Sequence, residues 1–151
     1  MFTAFLYGGK NMNEEKKCIV DEFKKKTNEM FNPIDGYSAS EIEEMVICYV
    51  KEVFAWLDIE AEIVDLALYG SRCRGMECED SDIDVVVEIH SENEREDNLF
   101  NILNEDRLTI AGIEVDINPI LPQATGTLSE YLPVAEKYME RVYFCEKALL
   151  L

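Results

Sequence analysis

The pair Asp82 and Asp84, set two residues apart in an apolar run, constrains the fold of this chain more than any other feature. In a β-strand, residues two apart share a face, so both carboxylates project to one side while Ile83, Val85 and Val87 project to the other, into a core. Residues 83–89, rich in valine, therefore read as a half-buried strand. The same parity holds over 113–120, where Val115 and Ile117 form the core face and Glu114, Asp116 and Asn118 the opposite one. If these strands are neighbours, Asp116 joins the pair, with Glu114 as its rival on that face.

Clustered carboxylates repel one another and raise each other's pKa unless a divalent cation neutralises them. Oxygen-only ligation suits Mg²⁺, or Mn²⁺, rather than Zn²⁺, so Asp82, Asp84 and Asp116 are the candidate metal ligands. Upstream, the short apolar run 63–69 ends at Gly70-Ser71, which reads as a buried strand entering a tight turn and then a helix start. Such a turn offers free backbone N–H groups and a hydroxyl to a phosphate tail. Gly70 lets the backbone approach the phosphates, and Gly75 lets the chain turn back toward the acidic strand. Arg72 and Arg74 are the nearest source of positive charge, although surface ion pairing in so acidic a chain is the rival use for each.

The remaining pattern surrounds these strands with helices. Apolar residues recur with helical spacing over 15–31, 40–57, 94–106 and 127–147, with capping-box spacing at Ser40/Glu43 and Thr127/Glu130. Pro133 should kink or restart the last of them. Residues 107–110 and 113–120 read as a hairpin through Ala111-Gly112. Residues 1–14, with Phe2, Phe5, Leu6 and Tyr7 ahead of Gly8-Gly9, read as a loose extension or docking strand before a single domain over 15–151. The expected fold is α/β (α+β): a small mixed, mostly antiparallel sheet with helices mainly on one face and the carboxylates on the other, open face.

With 32 acids against 14 bases, the net charge of −18 repels nucleic-acid phosphate, so a nucleic-acid partner is not expected. The five cysteines form no regular framework and suit free thiols in a reducing compartment. No apolar run approaches the roughly 20 residues that span a bilayer, and the first nine residues lack the basic flank of a signal peptide. The expectation is a cytoplasmic protein without membrane contact. The apolar N-terminal residues and Leu149-Leu150-Leu151 are candidate contacts for a homo-oligomer.

Residues 68–75, Leu-Tyr-Gly-Ser-Arg-Cys-Arg-Gly, followed by Ser81-Asp82-Ile83-Asp84-Val85, resemble the signature of the DNA polymerase beta-like nucleotidyltransferase superfamily, and within it the minimal nucleotidyltransferases. The family pattern is a Gly-Ser turn, a second glycine, an Asp-x-Asp strand and a third acid on a later strand, and the likeness spans roughly residues 60–120. Cys73 stands where the family often has alanine, and Asp116 is assigned by strand parity and order.

The resemblance implies that two Mg²⁺ ions bridge Asp82, Asp84, Asp116 and the NTP, ATP being favoured. It implies that Gly70 and Ser71, with Arg72 and Arg74, hold the nucleotide, and that a nucleoside monophosphate passes to a hydroxyl as pyrophosphate leaves. The chain looks like the nucleotidyltransferase half of a toxin–antitoxin pair, in which a partner toxin is adenylylated on a tyrosine. A small-molecule acceptor of the aminoglycoside kind, or a non-catalytic antitoxin-type binding module, is the alternative.

Overall fold

The computed structural model describes the backbone of residues 2–150 and the side chains of residues 13–142. Among the described residues four helices, α1 (Phe2–Met30), α2 (Ala39–Trp56), α3 (Glu96–Asn104) and α4 (Leu128–Leu150), surround four strands. The strands are β1 (Glu62–Tyr69), β2 (Ile83–His90), β3 (Thr109–Ile110) and β4 (Ile113–Ile120), and a single 3₁₀ turn occupies Ser71–Cys73. The strand order is β1-β2-β4-β3. Pairing is antiparallel at β1/β2 and β3/β4 but parallel at β2/β4, which makes the fold an α+β domain on a mixed, open sheet.

The local chemistry explains most element boundaries. Ala111 and Gly112 both have positive φ (52° and 80°), as a two-residue hairpin turn between twisted strands requires, and they join β3 to β4. The cap of α2 lies at Ser38 rather than at the expected Ser40. The Glu41 N–H donates to Ser38 Oγ (3.2 Å) and the Ser38 N–H to Glu41 Oε1 (3.4 Å), a complete capping box. Glu43, which Ser40 would have needed, is half-buried beside Lys24 (3.7 Å) and is not free to reach back. At α4, Thr127 Oγ1 donates to Glu130 Oε1 (2.9 Å), and the Leu128 N–H donates to Glu88 Oε1 on β2 (2.7 Å). Pro133 lies inside α4, which runs unbroken from Leu128. At the other end of the chain, α1 includes the backbone of residues 2–14, so helix replaces the expected loose extension or strand. The apolar side chains proposed there for docking, and the three terminal leucines, lie outside the described side chains.

Hydrophobic burial divides the helices between the two faces of the sheet. Ile42, Val46 and Val50 of α2 and Leu99 and Leu103 of α3 pack on Leu66, Leu68, Val85, Val87, Val115 and Ile117. On the opposite face Val20 of α1 and Leu128 and Leu132 of α4 pack on Ala67, Val86 and Ile120. Each fully buried aliphatic side chain is worth about 1.5–3 kcal/mol, so both layers hold the sheet. α1 and α4 therefore cover part of the carboxylate face, which stays open toward Asp84 and the Asp116 edge. No described helix is long and apolar enough to cross a membrane.

Candidate active site

Strand register brings the acids together. In the parallel pair, Asp84 lies directly opposite Asp116, so both carboxylates share the face away from Val85 and Ile117. Asp82 precedes the first residue of β2 and comes within hydrogen-bonding reach of Asp116. Burial, followed by the charges of Asp116 and Asp82, pushes the Asp84 carboxyl up to about 6. Burial also raises Asp116, against the pull of Arg107, with the Asp82 charge adding to the rise.

Arg107 was not among the residues singled out from sequence. Its Nη1 donates to Asp116 Oδ1 (2.6 Å) and Glu114 Oε2 (3.1 Å), so both rival acids of β4 face one guanidinium at the sheet edge. Among the described residues, no three metal-type side chains converge at ligating distance. The arrangement is a charge-rich pair with its third member held by Arg107. An all-oxygen donor set in which Asp84 and Asp116 carry raised carboxyls is nevertheless the chemistry that a hard divalent cation fits.

The Gly-Ser turn abuts these acids. Gly70 has φ 87° and ψ −165°, a region essentially closed to residues with a Cβ. A Cβ there would overlap Asp84 Oδ2 and lie 3.3 Å from Asp84 Cγ. Gly70 is thus required twice, by its backbone and by the carboxylate beside it. The following helix is only the 3₁₀ turn, whose first internal bond runs from the Cys73 N–H to the Gly70 carbonyl (3.1 Å), leaving the Ser71 and Arg72 amides ahead of it. Cys73 is buried in the core, which drives its thiol up to about 12 and makes it a packing residue.

The two arginines of the turn behave differently. Arg72 Nε donates to the Ser81 carbonyl (2.8 Å) and so fixes the approach to Asp82. Arg74, expected to face the nucleotide, turns into the protein instead. Its Nε meets both carboxylate oxygens of Glu136 (2.9 and 2.8 Å), its Nη1 donates to Thr27 Oγ1 (2.9 Å) and the Cys73 carbonyl (2.6 Å), and Phe23 stacks under it at 4.2 Å. With its side chain 6% exposed, Arg74 ties the turn to α1 and α4. Burial opposes ionisation of Glu136, but hydrogen bonds from Arg74 and Lys26 outweigh it and hold that carboxyl below its ordinary range.

A strand ending in a strained Gly-Ser turn against a cluster of paired-strand aspartates sets open backbone N–H groups beside carboxylates, an arrangement that suits a transferase. The chain belongs to the nucleotidyltransferase domain family, whose model matches residues 47–137, more than half its length. The match begins within α2 and ends within α4, so it takes in every strand, the turn and all three aspartates. No curated protein and no solved structure matches the chain.

Proposed function

We propose that this protein is a Mg²⁺-dependent nucleotidyltransferase that moves AMP from ATP to a hydroxyl of a partner protein. The observation that carries the reading is Asp84, packed against Gly70 and flanked by Asp82 and Asp116. In this reading Asp82, Asp84 and Asp116 hold the metal, which when bound would neutralise phosphate charge and orient the NTP. Gly70 and Ser71 give the triphosphate close access to backbone N–H groups. Asp116, whose ionised form Arg107 favours against the effect of burial, accepts the proton of the attacking hydroxyl. The new bond joins that oxygen to the α-phosphorus as the α–β bridge breaks and pyrophosphate departs in line. The −18 charge supports a basic protein as acceptor, and neither it nor the site calls for nucleic acid.

The test is incubation with Mg²⁺ and α-labelled ATP, CTP, GTP or UTP in lysate of the protein's own source. Label from ATP is expected on a protein with the wild type and absent with Asp84→Asn. Label persisting with that variant would sink the assignment, and label confined to small molecules would replace the protein acceptor with a small-molecule hydroxyl.

A further inference from the structure

The aromatic residues beside the acids have no part in the chemistry described above. A cavity of about 440 Å³ opens next to Gly70 and Asp84, walled by Tyr69, Tyr131, Val134 and Tyr138. Its size falls in the roughly 300–1,000 Å³ range of small-molecule sites. Tyr69 and Tyr131 form its floor, their ring centroids 5.6 Å apart and their planes at 89°. The Asn118 Nδ2 group donates to the Tyr131 hydroxyl (3.0 Å), which fixes that ring from β4. Val134 and Tyr138, one turn apart on α4, are 68% and 66% exposed, an apolar pair that the core does not use.

We infer that this cleft receives the nucleobase of the incoming NTP, with Tyr138 as the stacking residue. The inference rests on the reading of the site as a nucleotide site and names what that reading leaves open. Two observations favour a base over the acceptor. From the sheet the cleft is lined by Tyr69 and Gly70 at the end of β1 and by Asp84, whereas Asp116 and Arg107 lie on the β4 side. An acceptor hydroxyl that gives its proton to Asp116 approaches from that second side, so base and phosphates share the first. The walls are aromatic and aliphatic, which suits a flat neutral ring in a protein whose overall charge repels anions. A purine presents the larger face and is the preferred occupant.

The test is calorimetric titration of the full chain, with Mg²⁺, by α,β-methylene-ATP, which cannot transfer its AMP, and by inorganic triphosphate, which has no base. Base–aromatic stacking predicts that Tyr138→Ala weakens α,β-methylene-ATP about 5- to 150-fold. Tyr138→Phe should bind it like the wild type, and triphosphate should bind all three proteins alike. Unchanged nucleotide affinity in Tyr138→Ala, or an equal loss for triphosphate, overturns the assignment of the base while leaving the nucleotide site intact. If the wild type binds neither ligand, the nucleotide reading falls and the inference with it.

Discussion

Replacing Gly70 by alanine tests the joint between turn and acids. At φ 87° and ψ −165° the backbone conformation alone costs a residue with a Cβ about 1–3 kcal/mol. For a chain of about 150 residues each kcal/mol lowers Tm by roughly 2–4 °C, so a fall of about 2–12 °C is expected. The added methyl must also displace the Asp84 carboxylate, and a displacement on the order of 1 Å at reacting groups costs about 100-fold in rate. Gly36→Ala is the control, because Gly36 also has positive φ (84°) but open space where its Cβ would stand. Thermal melts of Gly70→Ala, Asp84→Ala and the double variant then isolate the clash. The coupling between the two sites should be about 0.5–3 kcal/mol, the double variant being less destabilised than the sum of the singles. Additive melts, or wild-type transfer by Gly70→Ala, would refute the packing argument.

Three further expectations concern charge. Asp84 ionises at about 6 in the native state and at about 4 in an unfolded chain, so its ionisation costs stability that is absent below the lower value and complete above the higher one. Asp84→Asn should therefore raise Tm at pH 7.5 without divalent cations, with the gain shrinking as pH falls from 6 toward 4, and a pH-independent gain would contradict this. Arg107→Ala releases Asp116 from a half-exposed ion pair worth about 0.2–1 kcal/mol, so Mn²⁺ should bind about 1.5- to 5-fold more tightly in a titration followed by electron spin resonance. Weaker binding would show that Arg107 supports the cation site instead. Arg74→Met leaves a partly buried carboxylate with Lys26 as its remaining partner, a loss of about 1.5–3 kcal/mol that differential scanning calorimetry should register. A Tm within 2 °C of wild type would remove Arg74 from its structural role, taking about 2–4 °C per kcal/mol.

The acids were legible because period-two alternation is local: it placed Asp84 and Asp116 on matching faces before the pairing of their strands was known. Arg107 was legible in principle as well. Counting outward from Ala111-Gly112 sets Ile110 against Ile113 and Thr109 against Glu114, which carries Arg107 opposite Asp116. The Val115 N–H to Leu108 carbonyl bond (2.8 Å) continues that register. Arg74 was not legible, because its partners Thr27 and Glu136 stand 47 and 62 residues away and no local pattern reports them. The cap of α2 failed for a related reason. Ser38/Glu41 and Ser40/Glu43 offer the same spacing, and only the burial of Glu43 beside Lys24 decides between them. The division of helices between two faces likewise depends on where α1 and α4 return to the sheet, which helical periodicity does not encode.

The position of Arg74 bears on the order in which the molecule is assembled. Its guanidinium joins the turn to α1, near the start of the chain, and to α4, near its end. Contacts so far apart in sequence close late in folding, because the intervening chain must first lose its freedom. The Gly-Ser turn closes on its own local bonds, but it is anchored in place only when both terminal helices dock. Competence to handle a nucleotide would then coincide with completion of the whole domain.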